Sequence, residues 1–406
     1  MEEKGLCKGL SVTAIILIVI SALVFSFNSA NSTLYGNEAA LYGLPFIAAF
    51  AIPLLAILIL LCRYIKSADT IEDMIAAIAV RYAIFGWVFV FVTKIAVIIL
   101  KASDNEFIKR NLSSIHLIIN EFNVCVIGTV ALSIALKSIP AMKIEKRKMK
   151  VGQLLLLIMM MYGLSQVGSM MGLPVHLALS WVDYRKATGT DIASSVMLSS
   201  DTIVNIITVG ILPAIFEELL FRKFLIDRTI RYGEFISCAM SGIMFGLWHG
   251  NFQQFFFTFF MGVLFAFVYI RTGNIIYTMI MHASMNLVTT TVTLQLLTKM
   301  MEAMGMNYQT GTVEMIDSDA AVKAILPLLL LMFLWIMILS SFQIVGFVML
   351  IVKRRNFKLA AQPGEPARKE LIKKLTHSPF MWVFFTFAIL LFVTVYLPGY
   401  LALLFG

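Results

Sequence analysis

The feature that most restricts how this chain can fold is its series of long apolar stretches. Runs such as Leu10–Asn28, Gly152–Gly172 and Ile325–Val352 contain no charged residue. Each is long enough, at about 1.5 Å per helical residue, to cross about 30 Å of membrane hydrocarbon. Of the 406 residues, 60% are hydrophobic and 14% are charged, and a soluble domain could not bury so much apolar surface. Strand-like alternation is absent, so the sequence predicts an all-α polytopic integral membrane protein, folded as a helical bundle.

About eleven segments are predicted to cross the membrane. They are 10–28, 40–62, 80–100, 115–136, 151–172, 203–226, 234–250, 252–270, 275–297, 325–352 and 380–405. No A-x-A cleavage site closes the first of them, which is therefore predicted to be a retained helix and not a signal peptide.

The charges lie mostly between these segments and predict an orientation. With the N-terminus in the cytoplasm, the inner loops hold about three times as many lysines and arginines as the outer loops, which is the usual bias. The net charge of +9 is thus explained by topology, and no nucleic-acid partner is expected. The partners expected from this pattern are membrane lipids.

One region departs from the apolar pattern. Between Val204 and Thr290, predicted helices contain several ionisable or strongly polar side chains, which cost several kcal/mol each in a membrane unless they have a partner or a purpose. They are Glu217, Glu218, Arg222, His249, His282 and Asn286. Outside this region, Arg81, Lys94 and Glu121 are expected to pair within the bundle or to lie near an interface.

Helical geometry indicates that these residues can meet. Glu217 and His249 are equally far in sequence from a predicted turn at Gly233, about 24 Å along two antiparallel helices. His282 and Asn286 lie roughly 14 and 20 Å from the next predicted turn on the same side, at Gly273 within Arg271–Asn274. Their i, i+4 spacing places both on one helix face.

The two neighbouring glutamates have different expected roles. Glu218 and Arg222 are spaced i, i+4 and can form an ion pair, whereas Glu217 points about 100° away. A buried carboxylate without a close cation, next to a histidine, can take a proton from water. An imidazole and a carboxamide opposite can donate hydrogen bonds to a developing oxyanion.

Other interpretations remain open at this point. Polar groups in a membrane bundle can simply hold helices together. Two histidines and two glutamates suit zinc, although H-E-x-x-H is absent and adjacent glutamates do not easily point at one ion. A transporter would use the same groups as a translocation path, but two related halves are not evident in the sequence.

Three short motifs occur in this region, each on its own predicted helix. Residues 217–222 read E-E-L-L-F-R, residues 245–249 read F-G-L-W-H, and residues 282–286 read H-A-S-M-N. They resemble, in the same order, the E-E-x-x-x-R, F-x-x-x-H and H-x-x-x-N motifs of the type II CAAX prenyl endopeptidase family, also called the CPBP or Abi family. The resemblance covers about residues 150–295.

This resemblance implies a glutamate-dependent intramembrane endopeptidase in which Glu217 and His249 activate water. The expected partner is then a peptide or protein substrate at the membrane, and the expected location is the plasma membrane of a bacterium. His282 and Asn286 would stabilise the oxyanion, with Glu218 and Arg222 in support. No metal or other cofactor is predicted. Zinc is the alternative, because the family has long been described as metal-dependent. Some members act in bacteriocin immunity, so a catalytically silent scaffold or immunity factor is a further alternative.

The chain is predicted to have three parts. Residues 1–150 form membrane helices of unassigned role, residues 151–297 form the protease-like core, and residues 298–406 form further helices with a basic cytoplasmic loop.

Overall fold

The computed structural model describes residues 2–35, 37–65, 69–183, 196–307, 312–313, 318–361 and 365–405. Within these ranges the chain is almost entirely helical. The helices are α1 (Glu2–Tyr35), α2 (Leu44–Tyr64), α3 (Ile71–Lys101), α4 (Glu106–Ser138), α5 (Val151–Asp183), α6 (Thr202–Tyr232), α7 (Glu234–Trp248), α8 (Phe252–Thr272), α9 (Ile275–Ala303), α10 (Ser318–Val352), α11 (Arg368–His377) and α12 (Pro379–Phe405). Met306–Asn307 (β1) and Thr312–Val313 (β2) form a small antiparallel pair.

Nine of the described helices are long and apolar enough to span a membrane, or ten if α11 and the first part of α12, which are bent by 69°, count as one span. The predicted all-α, multi-pass membrane fold is confirmed. The predicted count of about eleven is not exact. Each predicted segment coincides with a helix, but α7 has 15 residues and is about 22 Å long, which is shorter than the hydrocarbon layer.

Two glycine turns bring the motif-bearing helices side by side. Gly233, with φ of +119°, separates α6 from α7, and Gly273, with φ of +57°, ends α8. Both values lie in the region that residues with a Cβ rarely adopt. Asn251 and Asn274 then cap α8 and α9 by accepting hydrogen bonds from backbone N–H groups of the first turn. The hairpin turns predicted at these two places are confirmed.

Close helix packing in the second half of the bundle depends on small residues. A Cβ added to Gly346 of α10 would lie 1.8 Å from the Met159 carbonyl oxygen of α5, and one added to Gly163 of α5 would lie 2.3 Å from the Phe347 nitrogen. Gly242 and Gly262 similarly bring α7 and α8 together. Membrane helices commonly use such residues to bring their backbones into contact.

Helix α3 is central to the largest core cluster. Every residue from Met74 to Ala83 is buried, and the apolar ones belong to one cluster with apolar side chains of α1, α2, α6, α7 and α12. The residues preceding the motif region thus share a core with it. The division into parts at residues 150 and 297 stays a prediction.

Candidate active site

The site is built around local widening of two helices, at three places. Helix α6 contains two π-helical turns, Ile206–Ile211 and Leu219–Phe224, and α9 contains a third, Val288–Thr293. Glu217 and Glu218 lie between the two turns of α6. A π-turn changes the direction in which following side chains project and is frequent at functional sites.

Side chains from other helices bond to the carbonyl groups of the turn after the glutamates. The Tyr82 hydroxyl of α3 donates to the Leu220 oxygen, and the Ser241 hydroxyl of α7 donates to the Phe221 oxygen at 2.9 Å. Tyr82 and Ser241 are both fully buried. The position of the glutamates therefore depends on α3, which lies outside the motif region.

Glu218 and Arg222 form the predicted ion pair, with Arg222 Nε 3.0 Å from Glu218 Oε2 and both side chains fully buried. The contact has ion-pair distance but not hydrogen-bond geometry. Arg222 Nη1 donates to the Ser241 hydroxyl at 3.2 Å, and the guanidinium lies over the rings of Phe245 and Phe265, at 4.5 and 5.3 Å. These aromatic faces give the cation further electrostatic stabilisation.

His282 lies between the two glutamates. Its Nδ1 is 3.0 Å from Glu218 Oε1, and its Nε2 is 3.8 Å from Glu217 Oε2. His282 retains 5% of its side-chain exposure and Glu217 13%, whereas Glu218 has none. Of the two adjacent carboxylates, Glu217 alone can be reached by water or substrate.

His249 follows the last residue of α7 and contacts the aromatic ring of Phe245, which also contacts His282. His249 Nδ1 is 2.9 Å from the Phe245 oxygen. The Phe245 ring meets the rings of His249 and His282 edge-on, at centroid distances of 5.0 and 5.7 Å. Among the described contacts, Glu217 is therefore joined to His282 directly and not to His249.

Asn286 lies one helical turn beyond His282 on α9. Its Nδ2 donates to the Val209 oxygen at 2.9 Å, in the first π-turn of α6. One N–H of this amide group remains free to donate to another acceptor. His282 and Asn286 thus face α6 from one side of α9, as their i, i+4 spacing predicts.

A metal ion would need several free donor atoms at one point. His282 Nδ1 and both oxygens of Glu218 already contact protein groups. Among the described residues, no group of three or more histidine, cysteine, aspartate or glutamate side chains is arranged to hold an ion. The described donors therefore do not fit a zinc site.

Two parts of the site were missed from the sequence. Tyr82 and Ser241 are ordinary residues of membrane helices, and the sequence contains no signal that singles them out. Glu121 of α4, which was expected to pair or to lie near an interface, accepts a hydrogen bond from Asn120 at 3.2 Å; the sequence did not show that it also lies near enough to Glu217 for their charges to interact. Arg81 does bond within the bundle, to the oxygens of Ile65, Ala77 and Ala135.

Comparison with known proteins agrees with this placement. Residues 199–288 match the family model described as Type II CAAX prenyl endopeptidase Rce1-like. No curated protein and no solved structure gave a significant match to the chain. The matched region contains all six residues discussed above and indicates an endopeptidase of the CAAX-protease type. Residues 199–288 are therefore similar to the Rce1-like type II CAAX prenyl endopeptidases, and the resemblance predicted from the three motifs is confirmed.

Proposed function

We propose that the protein is a glutamate-dependent intramembrane endopeptidase that hydrolyses peptide bonds in membrane-associated or lipidated peptides or proteins. The observation that supports this most directly is the difference between two adjacent carboxylates. Glu218 is fully buried between Arg222 and His282, and Glu217 is partly accessible beside His282 Nε2. The first arrangement suits a structural support, and the second suits a group that meets water.

In the proposed reaction, Glu217 takes a proton from a water molecule while the water oxygen attacks the scissile carbonyl carbon. His249 assists by orienting this water from the end of α7. The carbonyl oxygen becomes an oxyanion, and the C–N bond then breaks. The leaving amine takes the proton from Glu217, which restores the carboxylate.

His282 and Asn286 are proposed to stabilise the oxyanion. Asn286 has one amide N–H to offer, because the other is bonded to Val209. If His282 Nδ1 donates its hydrogen to Glu218, Nε2 can donate to an oxyanion only when the ring carries a proton on both nitrogens. Glu218 and Arg222 thus act by holding His282 in place. Removal of one such donor typically lowers kcat about 10²–10³-fold.

We further propose that no metal takes part. The arrangement of donors supports this, since Glu218 is engaged by Arg222 and His282. Among the described residues, Glu217, His249 and His282 are not grouped so that they could hold an ion together. The proposed location is the plasma membrane of a bacterium, with the N-terminus in the cytoplasm.

The function can be tested by comparing membrane proteomes of cells that produce the wild-type protein or the Glu217→Ala variant. We expect uncleaved precursors to accumulate in the variant, and the affected proteins would identify the substrates. Identical proteomes together with an unchanged cellular phenotype would instead support a catalytically silent scaffold or immunity factor.

A further inference from the structure

An extended segment crosses the ends of the site helices. Residues 139–150, here called the basic strap, connect α4 to α5 without regular secondary structure. Their cationic side chains are all exposed. These are Lys143, Lys146, Arg147, Lys148 and Lys150.

The strap is fixed to three helix ends by its own backbone. Met142 N donates to the Asp227 oxygen of α6 at 2.6 Å, and Arg147 N donates to the Thr272 oxygen of α8 at 2.7 Å. Met149 N donates to the Tyr277 hydroxyl of α9 at 2.9 Å. Three separate hydrogen bonds thus hold this segment in one position.

A second basic segment lies on the same face. Arg271, which is paired with Glu234, donates from Nη2 to the Lys358 oxygen at 2.6 Å. The Ala360 nitrogen donates to Glu234 Oε2, also at 2.6 Å. These contacts hold residues 353–361 next to the strap's anchoring helices, and the segment adds four exposed cations. They are Lys353, Arg354, Arg355 and Lys358.

Few of these cations are neutralised by the protein. Arg147 is 3.3 Å from Glu145. The buried acids beneath the two segments are engaged elsewhere, Asp227 with Lys223 and Tyr269, and Glu234 with Arg271. Among the described residues, the other eight exposed cations of the two segments have no carboxylate within ion-pair distance.

We propose that the basic strap and residues 353–361 together bind the headgroups of anionic phospholipids in the adjacent leaflet. Exposed cations close to a membrane surface attract such lipids. A general preference for basic loops on one side explains why cations occur here, but not why their backbone is fixed to α6, α8 and α9. Because of these bonds, lipid binding would stabilise the ends of the site helices. The proposal does not rest on the proposed function.

The test uses the full-length protein in neutral detergent, with thermal unfolding as the measurement. Phosphatidylglycerol or phosphatidylcholine is added, and the variant changes Lys143, Lys146, Lys148 and Lys150 to glutamine. The matched control changes four exposed cations at the opposite helix ends to glutamine. These are Lys101, Arg110, Lys299 and Lys323.

We expect phosphatidylglycerol, and not phosphatidylcholine, to raise the unfolding temperature of the wild-type and control proteins. The strap variant should need at least about tenfold more phosphatidylglycerol for the same shift, and high salt should weaken the wild-type response. An equal response of the strap variant and the wild type would overturn the proposal. A similar shift with soluble glycerol phosphate would also overturn it, because the ligand would then be a free phosphate and not a lipid surface.

Discussion

At the scale of single residues, Glu217 and Glu218 show how two adjacent and identical side chains come to differ. They leave α6 about 100° apart, so that one meets Arg222 and the other meets the accessible side of the site. Glu218 is fully buried, and Glu217 keeps 13% of its side-chain exposure. Burial of a charge is tolerated when it is paired and hydrogen-bonded, and Glu218 satisfies that condition through Arg222 and His282.

We therefore predict that Glu218→Gln lowers stability more than Glu217→Gln does. Glutamine at position 218 would leave the Arg222 charge buried without its counterion, which costs about 3–5 kcal/mol. Thermal unfolding and folded yield of the two purified variants would check this. Equal values for both variants would show that the two glutamates do not have separate roles.

The sequence predicts the spacing of residues along a helix, but not how each helix is rotated about its axis relative to its neighbours. The i, i+4 relation between Glu218 and Arg222 is visible in the sequence, and the ion pair is present. The contact of His282 with both glutamates depends on how α9 is turned against α6. That orientation follows from tertiary packing and could not be read from three motifs.

At the scale of helices, the π-turn Leu219–Phe224 depends on hydrogen bonds from its neighbours. We predict that Tyr82→Phe destabilises the protein, because the buried Leu220 oxygen loses its donor, at a cost of about 1–3 kcal/mol. Tyr42→Phe is the control, since Tyr42 is 80% exposed and should change stability by no more than about 0.5 kcal/mol. Equal denaturation midpoints for the two variants would show that the Tyr82 bond does not support the turn.

A second prediction concerns Gly273, in the turn after α8. Gly273 has φ of +57°, and a Cβ there would lie 2.4 Å from the Glu145 oxygen of the basic strap. Gly273→Ala should thus destabilise the protein by at least about 1–2 kcal/mol, the cost of the left-handed conformation alone.

The matched control is Gly152→Ala near the start of α5, where an added Cβ meets nothing within 4 Å. This change should be neutral or slightly stabilising, because alanine favours a helix more than glycine does. If thermal unfolding gave the same midpoint for the two variants, the strap would not be closely packed against this turn.

Helix positions were predictable from the sequence, whereas some of their lengths and local geometry were not. The long apolar runs correctly predicted the helices, and Gly233 and Gly273 correctly predicted two of the turns between them. The predicted segment 234–250 ends two residues beyond the observed end of α7 at Trp248, and the predicted segment 203–226 stops before the end of α6 at Tyr232. The two π-turns of α6 accept hydrogen bonds from side chains of α3, α7 and α9. Contacts between helices so far apart in sequence could not be predicted from the local sequence.

At the scale of the whole molecule, the helices place the exposed cations at two opposite ends of the bundle. Lys101 ends α3, and α4 then runs from Glu106 to Ser138 before the strap begins. With 33 residues, α4 is about 50 Å long, enough to cross the hydrocarbon layer. Lys148 in the strap and Lys101 should therefore face opposite sides of the membrane.

The charge bias predicts that the strap side is cytoplasmic. Single cysteines at positions 101 and 148, in a background without the four native cysteines, would be labelled with a membrane-impermeant reagent. We expect the position 101 cysteine to react in intact cells and the position 148 cysteine only after the membrane is opened. The reverse pattern would invert the orientation, and labelling of both from one side would contradict the assignment of α4 as a span.

The role of Glu217 as a metal-independent general base is best tested by measuring the rate of peptide cleavage by the purified protein in lipid vesicles. For Glu217→Gln, we predict a fall in kcat of about 10²–10⁴-fold, as for loss of a general base, with substrate binding and thermal unfolding unchanged. Cleavage by this variant at the wild-type rate would contradict the claim. So would cleavage by the wild-type protein that a chelator abolishes and zinc restores, because Glu217 and the histidines would then act as metal ligands.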